Sequence, residues 1–149
     1  MKRLNAAGLA LVMGAASLGA NAVPCEPETC AALKAVALDY IDGWYDGNAA
    51  RMKQSLHPQL VKRALGPAGN EGALDEMGAD GLIFYTGKGI GATTDPARRR
   101  AEVTVLDVSG DMAAVKVVAT DWVDYLQMGR FGANWKIVNV VWERHPPGK

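Results

Sequence analysis

AAVKVVATDWVDYLQMGRFGANWKIVNVVW, residues 113–142, is the stretch of sequence that decides the fold of this chain. It consists of two runs rich in β-branched and aromatic residues, joined by the glycine-containing link 129–134, and it contains no proline. This pattern predicts a long β-hairpin. Three of the four tryptophans, Trp122, Trp135 and Trp142, belong to it, so most of the large apolar surface available for a core lies here. We therefore expect any pocket to be built against this hairpin.

The residues before the hairpin extend it into a larger sheet. Residues 102–108 alternate between apolar and polar side chains, the triplet 109–111 is typical of a turn, and residues 112–119 return. The returning strand is predicted to continue through 122–127, after a bulge near 120–121 that lets one long strand bend between two partners. The last third of the chain is thus predicted to be an antiparallel meander.

Helical patterns dominate the residues before the meander. The predicted elements, in chain order, are a helix at 27–46, a second helix from the cap Asn48 to 56, a short strand at 59–65 and a third helix over 74–85, for which Asn70 could be the cap. Gly47 suits the position just past the first helix. Helices segregated to one face of a sheet make an α+β domain. We predict three N-terminal helices packed on a strongly curved antiparallel sheet.

The N-terminus has the pattern of a signal peptide. Lys2 and Arg3 precede an apolar run at 4–19, and residues 20–22 (ANA) match a small-x-small cleavage site. Cleavage there would leave 23–149 as a single domain. Removing Lys2 and Arg3 from a chain with 16 basic and 16 acidic residues leaves a net charge of −2, which gives nucleic acid or anionic lipid nothing to bind. The expected location is periplasmic or secreted, with no membrane association after cleavage.

Both cysteines, Cys25 and Cys30, lie just after this site. In an oxidising compartment they could form a disulfide that closes a small loop at the start of the first helix, although spacing alone leaves open whether they are bridged. A zinc site needs four ligands, and only two cysteines cluster here, so no metal is expected.

The glycines of GKGIG, residues 87–91, do not predict a nucleotide site. A dinucleotide-binding loop lies between a strand and a following helix, and a phosphate-binding loop needs Lys-Ser or Lys-Thr after its last glycine. Here the glycines follow a predicted helix and lead into the loop sequence TTDP, residues 93–96. We interpret residues 87–91 as a connector, and we expect no cofactor.

Several motifs carry a resemblance to a known group of proteins. YIDGWYDGN at 40–48, RMKQSLHP at 51–58, and the pair DWVDYLQM and WKIVNVVWE in the hairpin resemble the nuclear-transport-factor-2-like superfamily, and more closely the group named for lumazine binding. The resemblance implies a cone in which three helices cover a bent sheet, with an apolar pocket between them. It also implies possible homodimers through the outer sheet face. The name of the group does not establish the ligand of this chain.

Within that superfamily, ketosteroid isomerase provides a comparison for chemistry. Matching the turn after the first helix puts Tyr40 at the position of its oxyanion-binding tyrosine and Asp124 near its oxyanion-binding aspartate. The position of the catalytic base is occupied by Ala64, which cannot take a proton, and His57 is the nearby alternative. The favoured alternative is that His57 only caps the last-turn carbonyls of the second helix. Catalytic candidates are therefore Tyr40, Asp124 and His57, with no base assigned.

The candidate ligand-binding residues are Tyr40, Trp44, His57, Trp122, Asp124, Asn139 and Trp142. Alternatives remain open for several of them. Tyr40 and Trp44 could simply be core, and Asp124 could face either the interior or solvent, opposite Lys136. Asn139 is the polar residue within IVNVV and would need hydrogen-bond partners if buried.

Two functions are consistent with this sequence. The first is an exported, non-catalytic domain that binds a small apolar or aromatic molecule in its cone. The second is an isomerase, dehydratase or cyclase in which Tyr40 and Asp124 stabilise an enolate. The vacant base position favours the first.

Overall fold

The computed structural model describes residues 25–66, 72 and 74–145; the predicted signal peptide, residues 1–22, and Asn70 lie outside them. The described residues form helices α1 (Pro27–Asp46), α2 (Ala49–Ser55) and α3 (Ala79–Gly87), and strands β1 (Leu56–Leu65), β2 (Leu74–Gly78), β3 (Ala101–Ser109), β4 (Met112–Ala119), β5 (Trp122–Phe131) and β6 (Asn134–Arg144). Two short 3-10 turns, Gly91–Thr93 and Pro96–Arg98, connect α3 to β3. None of the helices in this part of the chain is long and apolar enough to cross a membrane.

The strands form one sheet in the order β2-β1-β6-β5-β4-β3. Every neighbouring pair is antiparallel except β1 and β6, which run parallel, so the sheet is mixed where an antiparallel one was predicted. β1 follows α2 directly and lies beside β6 with Ala64 opposite Trp142. The predicted α+β architecture is confirmed with this difference.

The opening helices form as their sequence predicts. Gly47 ends α1 in the left-handed conformation, with φ of 65°, and its N–H donates to the Gly43 carbonyl. The Asn48 side chain accepts a hydrogen bond from the Arg51 N–H and caps α2. On the outer face of α1, Asp39 and Asp42 accept hydrogen bonds from the Arg51 guanidinium, which holds α2 against α1.

The core lies between α1 and the concave face of the sheet. Helical spacing brings buried residues of α1 to one side, and strand alternation brings every second residue of the central strands to face them. The buried set includes Leu33, Ala37 and Ile41 from α1 and Val115, Val117, Leu126, Met128, Ile137 and Val140 from the sheet. The meander therefore supplies half of the buried hydrophobic residues, and the helices and β1 supply the other half.

Two predicted elements are wrong in detail. Residues 74–78, predicted as the start of the third helix, are instead strand β2, because they pair with β1 from Leu65 opposite Leu74 to Val61 opposite Gly78. Residues 120–121, predicted as a bulge within one continuous strand, are a hairpin turn, since Val118 pairs antiparallel with Val123. Strand pairing overrides the local helical spacing in the first case, and an inconspicuous turn divides the strand in the second.

Candidate functional site

A cavity of about 620 Å³ lies between α1, the inner face of the sheet and the segment that follows α3. Its lining includes Tyr40, Trp44, Trp122 and Trp142, four of the residues predicted to bind a ligand. The apolar part of the wall also includes Ile41, Met52, Met77, Leu82 and Ile90. A volume of this size and an aromatic lining are typical of sites that bind small molecules.

The three cavity tryptophans form one aromatic surface. Trp122 on β5 and Trp142 on β6 point to the same face, and their ring centroids are 6.4 Å apart. Trp44 reaches this pair from α1, with its ring 6.5 Å from that of Trp122 and nearly perpendicular to it. Edge-to-face contacts of this kind favour a fixed arrangement of the rings.

A glycine of the segment 87–91 makes room for Trp44. A Cβ atom built on Gly91 would lie 2.4 Å from the Trp44 ring atoms Cδ1 and Nε1 and from the Trp44 carbonyl oxygen. No side chain fits at that distance, so the connector can pass over the indole only with glycine at 91. The glycine-rich segment thus has a structural role beside the cavity.

The polar end of the cavity is organised by Asp124. This side chain is fully buried, and all of its hydrogen bonds are accepted ones. Lys62 Nζ lies 2.6 Å from Oδ1, while Tyr40 Oη donates to Oδ2 over 3.2 Å and Trp122 Nε1 donates to Oδ2 over 2.7 Å. Three donors around one carboxyl group fit an ionised carboxylate. We call Tyr40, Lys62, Trp122 and Asp124 the polar cluster.

The two other titratable members of the polar cluster respond to burial in opposite directions. Burial raises the pKa of Tyr40 well above its ordinary value, and the negative charge of Asp124 raises it further, so Tyr40 remains a neutral phenol. Burial lowers the pKa of Lys62, while the contact with Asp124 opposes that change. Lys62 also donates to Tyr40 Oη.

One feature of the sequence indicates that Lys62 faces the cavity. In β1, Leu60, Lys62 and Ala64 share the strand face that the alternation predicts, and Ala64 was matched to a base position of ketosteroid isomerase. Both Lys62 and Ala64 line the cavity. The sequence therefore puts a lysine on the same strand face as Ala64, but it does not identify the partner of that lysine.

Asp124 faces inward, which resolves the alternative left open by the sequence. Its cation is Lys62, whereas Lys136 instead donates to the Gln54 carbonyl at the end of α2. In the sheet, Asp124 lies opposite Trp142 and Lys136 opposite Gly129, so the two are not cross-strand partners.

His57 and Asn139 lie outside the cavity lining. The His57 ring stacks on Phe131 at 4.6 Å, its Nδ1 accepts a hydrogen bond from the Gln59 N–H, and it borders a separate hollow of about 250 Å³. Asn139 accepts a hydrogen bond from Arg63 and donates one to Gln127. The structure therefore does not bring His57 together with Tyr40 and Asp124.

Cys25 and Cys30 are joined by a disulfide at the start of α1, with their Cα atoms 5.6 Å apart. Within residues 25–66, 72 and 74–145, no group of three or more His, Cys, Asp or Glu side chains is arranged to hold a metal ion.

Comparisons with known proteins identify the fold. Residues 28–143 match the profile of a family described as "Putative lumazine-binding". No functionally curated protein matches this chain. A nuclear-transport-factor-2-like protein of unknown function from Shewanella baltica superposes with a TM-score of 0.65 at 15% identity, covering 80% of this chain and 95% of that one.

Two further solved structures have the same architecture. A nuclear-transport-factor-2-like protein of unknown function from Methylobacillus flagellatus gives a TM-score of 0.67 at 18% identity over 83% of this chain and 98% of its own. A ketosteroid isomerase-like protein from Erwinia carotovora gives a TM-score of 0.60 at 15% identity over 82% and 100%, respectively. Identities this low establish the fold alone. The resemblance and the cone-shaped α+β fold predicted from the sequence are confirmed.

Proposed function

This chain belongs to the family described as "Putative lumazine-binding", and from that premise we propose that it is an exported domain that binds a small, mostly apolar aromatic molecule without catalysing a reaction. One observation carries the proposal: a cavity of about 620 Å³ with three tryptophans in its wall ends at one buried polar cluster. Apolar walls supply binding energy through burial of ligand surface, and a few fixed polar groups orient the ligand.

The polar cluster supports binding more than catalysis. Tyr40 donates its hydroxyl proton to Asp124, so that proton is not directed at a substrate oxygen. Asp124 accepts hydrogen bonds from all three of its neighbours, which is the opposite of the donor role that an enolate-stabilising aspartate would need. Ala64, at the matched base position, lines the cavity without a group that could take a proton.

Titration with aromatic compounds tests the binding proposal directly. The panel contains lumazine, other aromatic heterocycles and steroids, and the readout is quenching of tryptophan fluorescence. Trp44→Phe removes a cavity tryptophan and is expected to reduce the fraction of tryptophan fluorescence that the ligand quenches. Trp135→Phe is the control: it changes a core tryptophan outside the cavity lining, so ligand quenching should persist with the same dissociation constant. A flat titration across the whole panel would contradict the proposal.

An isomerase, dehydratase or cyclase is the second candidate, because Tyr40 lines the cavity and donates a hydrogen bond over 3.2 Å to Asp124, which is fully buried next to the lining. A β,γ-unsaturated ketone offered to the purified protein provides the test, with conversion to the conjugated ketone followed by ultraviolet absorbance. Turnover that is lost in Asp124→Asn would favour the enzyme. Binding of the ketone with no turnover above the rate in buffer would favour the binding domain.

Export is part of the same proposal. It is supported by the basic, apolar and small-residue pattern of residues 1–22 and by a cysteine pair just beyond it. The full chain, expressed in a bacterium with a periplasm, should be recovered from that compartment with Val23 as its first residue. Recovery of the intact chain from the cytoplasm would contradict export.

A homodimer through the outer sheet face is the partner arrangement we propose. Tyr125 and Val141 are exposed there and lie opposite each other on adjacent strands, which gives the face an apolar centre. Light scattering should give twice the monomer mass, and Tyr125→Glu should shift the protein to monomer. A monomeric wild-type protein at high concentration would rule this out.

A further inference from the structure

Lys62 has one more hydrogen-bond donor than its protein partners use. An ammonium group has three N–H bonds. Within the part of the chain that the structure describes, Nζ donates to Asp124 Oδ1 and Tyr40 Oη, and those are its hydrogen-bond partners. Its side chain is 11% exposed, and Lys62 lines the cavity. The remaining N–H is therefore available to a molecule that occupies the cavity.

The surroundings of Nζ favour a flat ligand. The amino group lies 5.2 Å from the centre of the Tyr40 ring and 4.9 Å from that of the Trp142 ring. An acceptor atom that reaches Nζ must pass along these aromatic surfaces. A planar molecule can bring an acceptor to Nζ and still pack its own rings against the tryptophans.

The charges around the cavity disfavour an anion. Asp124 already neutralises Lys62 at the inner end, where the two groups form a buried ion pair. The cavity lining also carries the acidic residues Asp75, Glu76 and Asp121 and one further basic residue, Arg144. Glu76 is paired with Arg63 and Asp121 with Arg98, so these acids add little free charge. A carboxylate ligand would lose its hydration and gain no net positive charge at Lys62.

We infer that this cavity selects uncharged aromatic molecules that carry a carbonyl oxygen, which accepts a hydrogen bond from Lys62 Nζ, and that it discriminates against the corresponding carboxylates. The inference rests on the proposed small-molecule binding and specifies its ligand class. Lys62 is the specificity-determining residue, and Asp124 positions its amino group.

Three probes of one shape test this selectivity. 2-Acetonaphthone presents a carbonyl, 2-isopropenylnaphthalene presents a hydrocarbon of the same outline, and 2-naphthoate presents an anion. Equilibrium dialysis gives the dissociation constant of each probe with the full chain near pH 7. A hydrogen bond from a charged donor predicts that the ketone binds about 10- to 100-fold more tightly than the hydrocarbon. The carboxylate should bind more weakly than the ketone.

The variants separate recognition by Lys62 from a general effect on the fold. Lys62→Met removes the donor but leaves Asp124 as an unpaired buried charge, so the double variant Lys62→Met/Asp124→Asn is made as well, because it removes both charges and keeps the amide oxygen as an acceptor. Lys116→Met provides the matched control, since Lys116 lies over Tyr125 on the outer face of the sheet. The double variant should bind ketone and hydrocarbon equally, whereas Lys116→Met should keep the wild-type preference.

The outcomes distinguish this inference from the proposed function. If the hydrocarbon binds as tightly as the ketone, or the double variant retains the preference, the role of Lys62 is refuted while small-molecule binding stands. Tighter binding of 2-naphthoate than of the ketone would also refute it. If none of the three probes binds, both the inference and the proposed function lose their support.

Discussion

Gly91 lies so close to Trp44 that a single added carbon atom would overlap the indole: a Cβ at Gly91 would be 2.4 Å from two of its ring atoms. Trp44 in turn packs edge-to-face on Trp122, 6.5 Å away, and both line the cavity. The close approach of Gly91 to Trp44 therefore determines the shape of one cavity wall.

Gly91→Ala is expected to destabilise the protein by about 1–3 kcal/mol, because the connector or the indole must move to relieve the overlap. The free energy of unfolding in urea measures this change, and tryptophan fluorescence should report a displaced Trp44. Gly78→Ala is the control, since a Cβ there would have its nearest neighbour at 3.9 Å, which is ordinary contact. Equal stability of the two variants would contradict the overlap.

Lys62→Met is expected to destabilise the protein by about 3–5 kcal/mol, because it leaves the fully buried Asp124 carboxylate without its cation. Lys62→Met/Asp124→Asn should be more stable than Lys62→Met, since removing both charges removes the uncompensated one. Urea unfolding of the wild type and both variants near neutral pH gives the comparison. A double variant less stable than Lys62→Met would show that the unpaired charge of Asp124 is not the main cause of the lost stability.

Tyr40 should make stability fall with rising pH above its ordinary pKa. Burial raises the pKa of the folded Tyr40 well above 10.0, so above that pH the unfolded chain has released a proton that the folded protein keeps. Relative to Tyr40→Phe, the wild-type free energy of unfolding should be constant below about pH 10 and then fall by about 1.4 kcal/mol per pH unit. Urea unfolding between about pH 9 and pH 11 tests this, and parallel pH profiles would contradict it.

Tyr45 holds the turn between β4 and β5. Its hydroxyl accepts a hydrogen bond from the Thr120 N–H and donates to the Arg100 carbonyl, each over 3.0 Å. Tyr45→Phe removes both hydrogen bonds, which are partly buried, and at about 0.5–1.5 kcal/mol for each bond it should cost about 1–3 kcal/mol of unfolding free energy. Amide hydrogen exchange at Thr120 should accelerate in this variant. Tyr85→Phe, which changes an exposed tyrosine on α3, should alter neither measurement.

That turn also explains an error of sequence interpretation. Thr120 and Asp121 include neither Gly, Pro nor Asn, so residues 112–127 looked like one strand with a bulge. Contacts from α1, above all those of Tyr45, hold the chain in the turn. Because those partners are 75 residues away in sequence, a local pattern could not reveal them.

The third helix is a second case in which a local pattern was misleading, because a segment predicted as helix is a strand. Leu74 and Met77 have helical spacing with the residues that follow, and this suggested one helix over 74–85. Pairing with β1 draws residues 74–78 into the sheet, and α3 begins only at Ala79. A five-residue segment can satisfy either periodicity, so its strand partner decides.

The sequence by itself determined what depends on near neighbours along the chain: the register of α1 and its end at Gly47, the cap at Asn48, and the turn at 109–111. Helical and strand periodicities repeat over a few residues, so the local order of apolar and polar residues reveals them. Only the tertiary structure decided that β1 lies parallel to β6, that Lys62 meets Asp124 across 62 residues, and that Tyr40 joins them from α1. Alternation establishes which residues share a face of a strand, but the choice of neighbouring strand, and therefore the polar cluster, is made by packing of the whole domain.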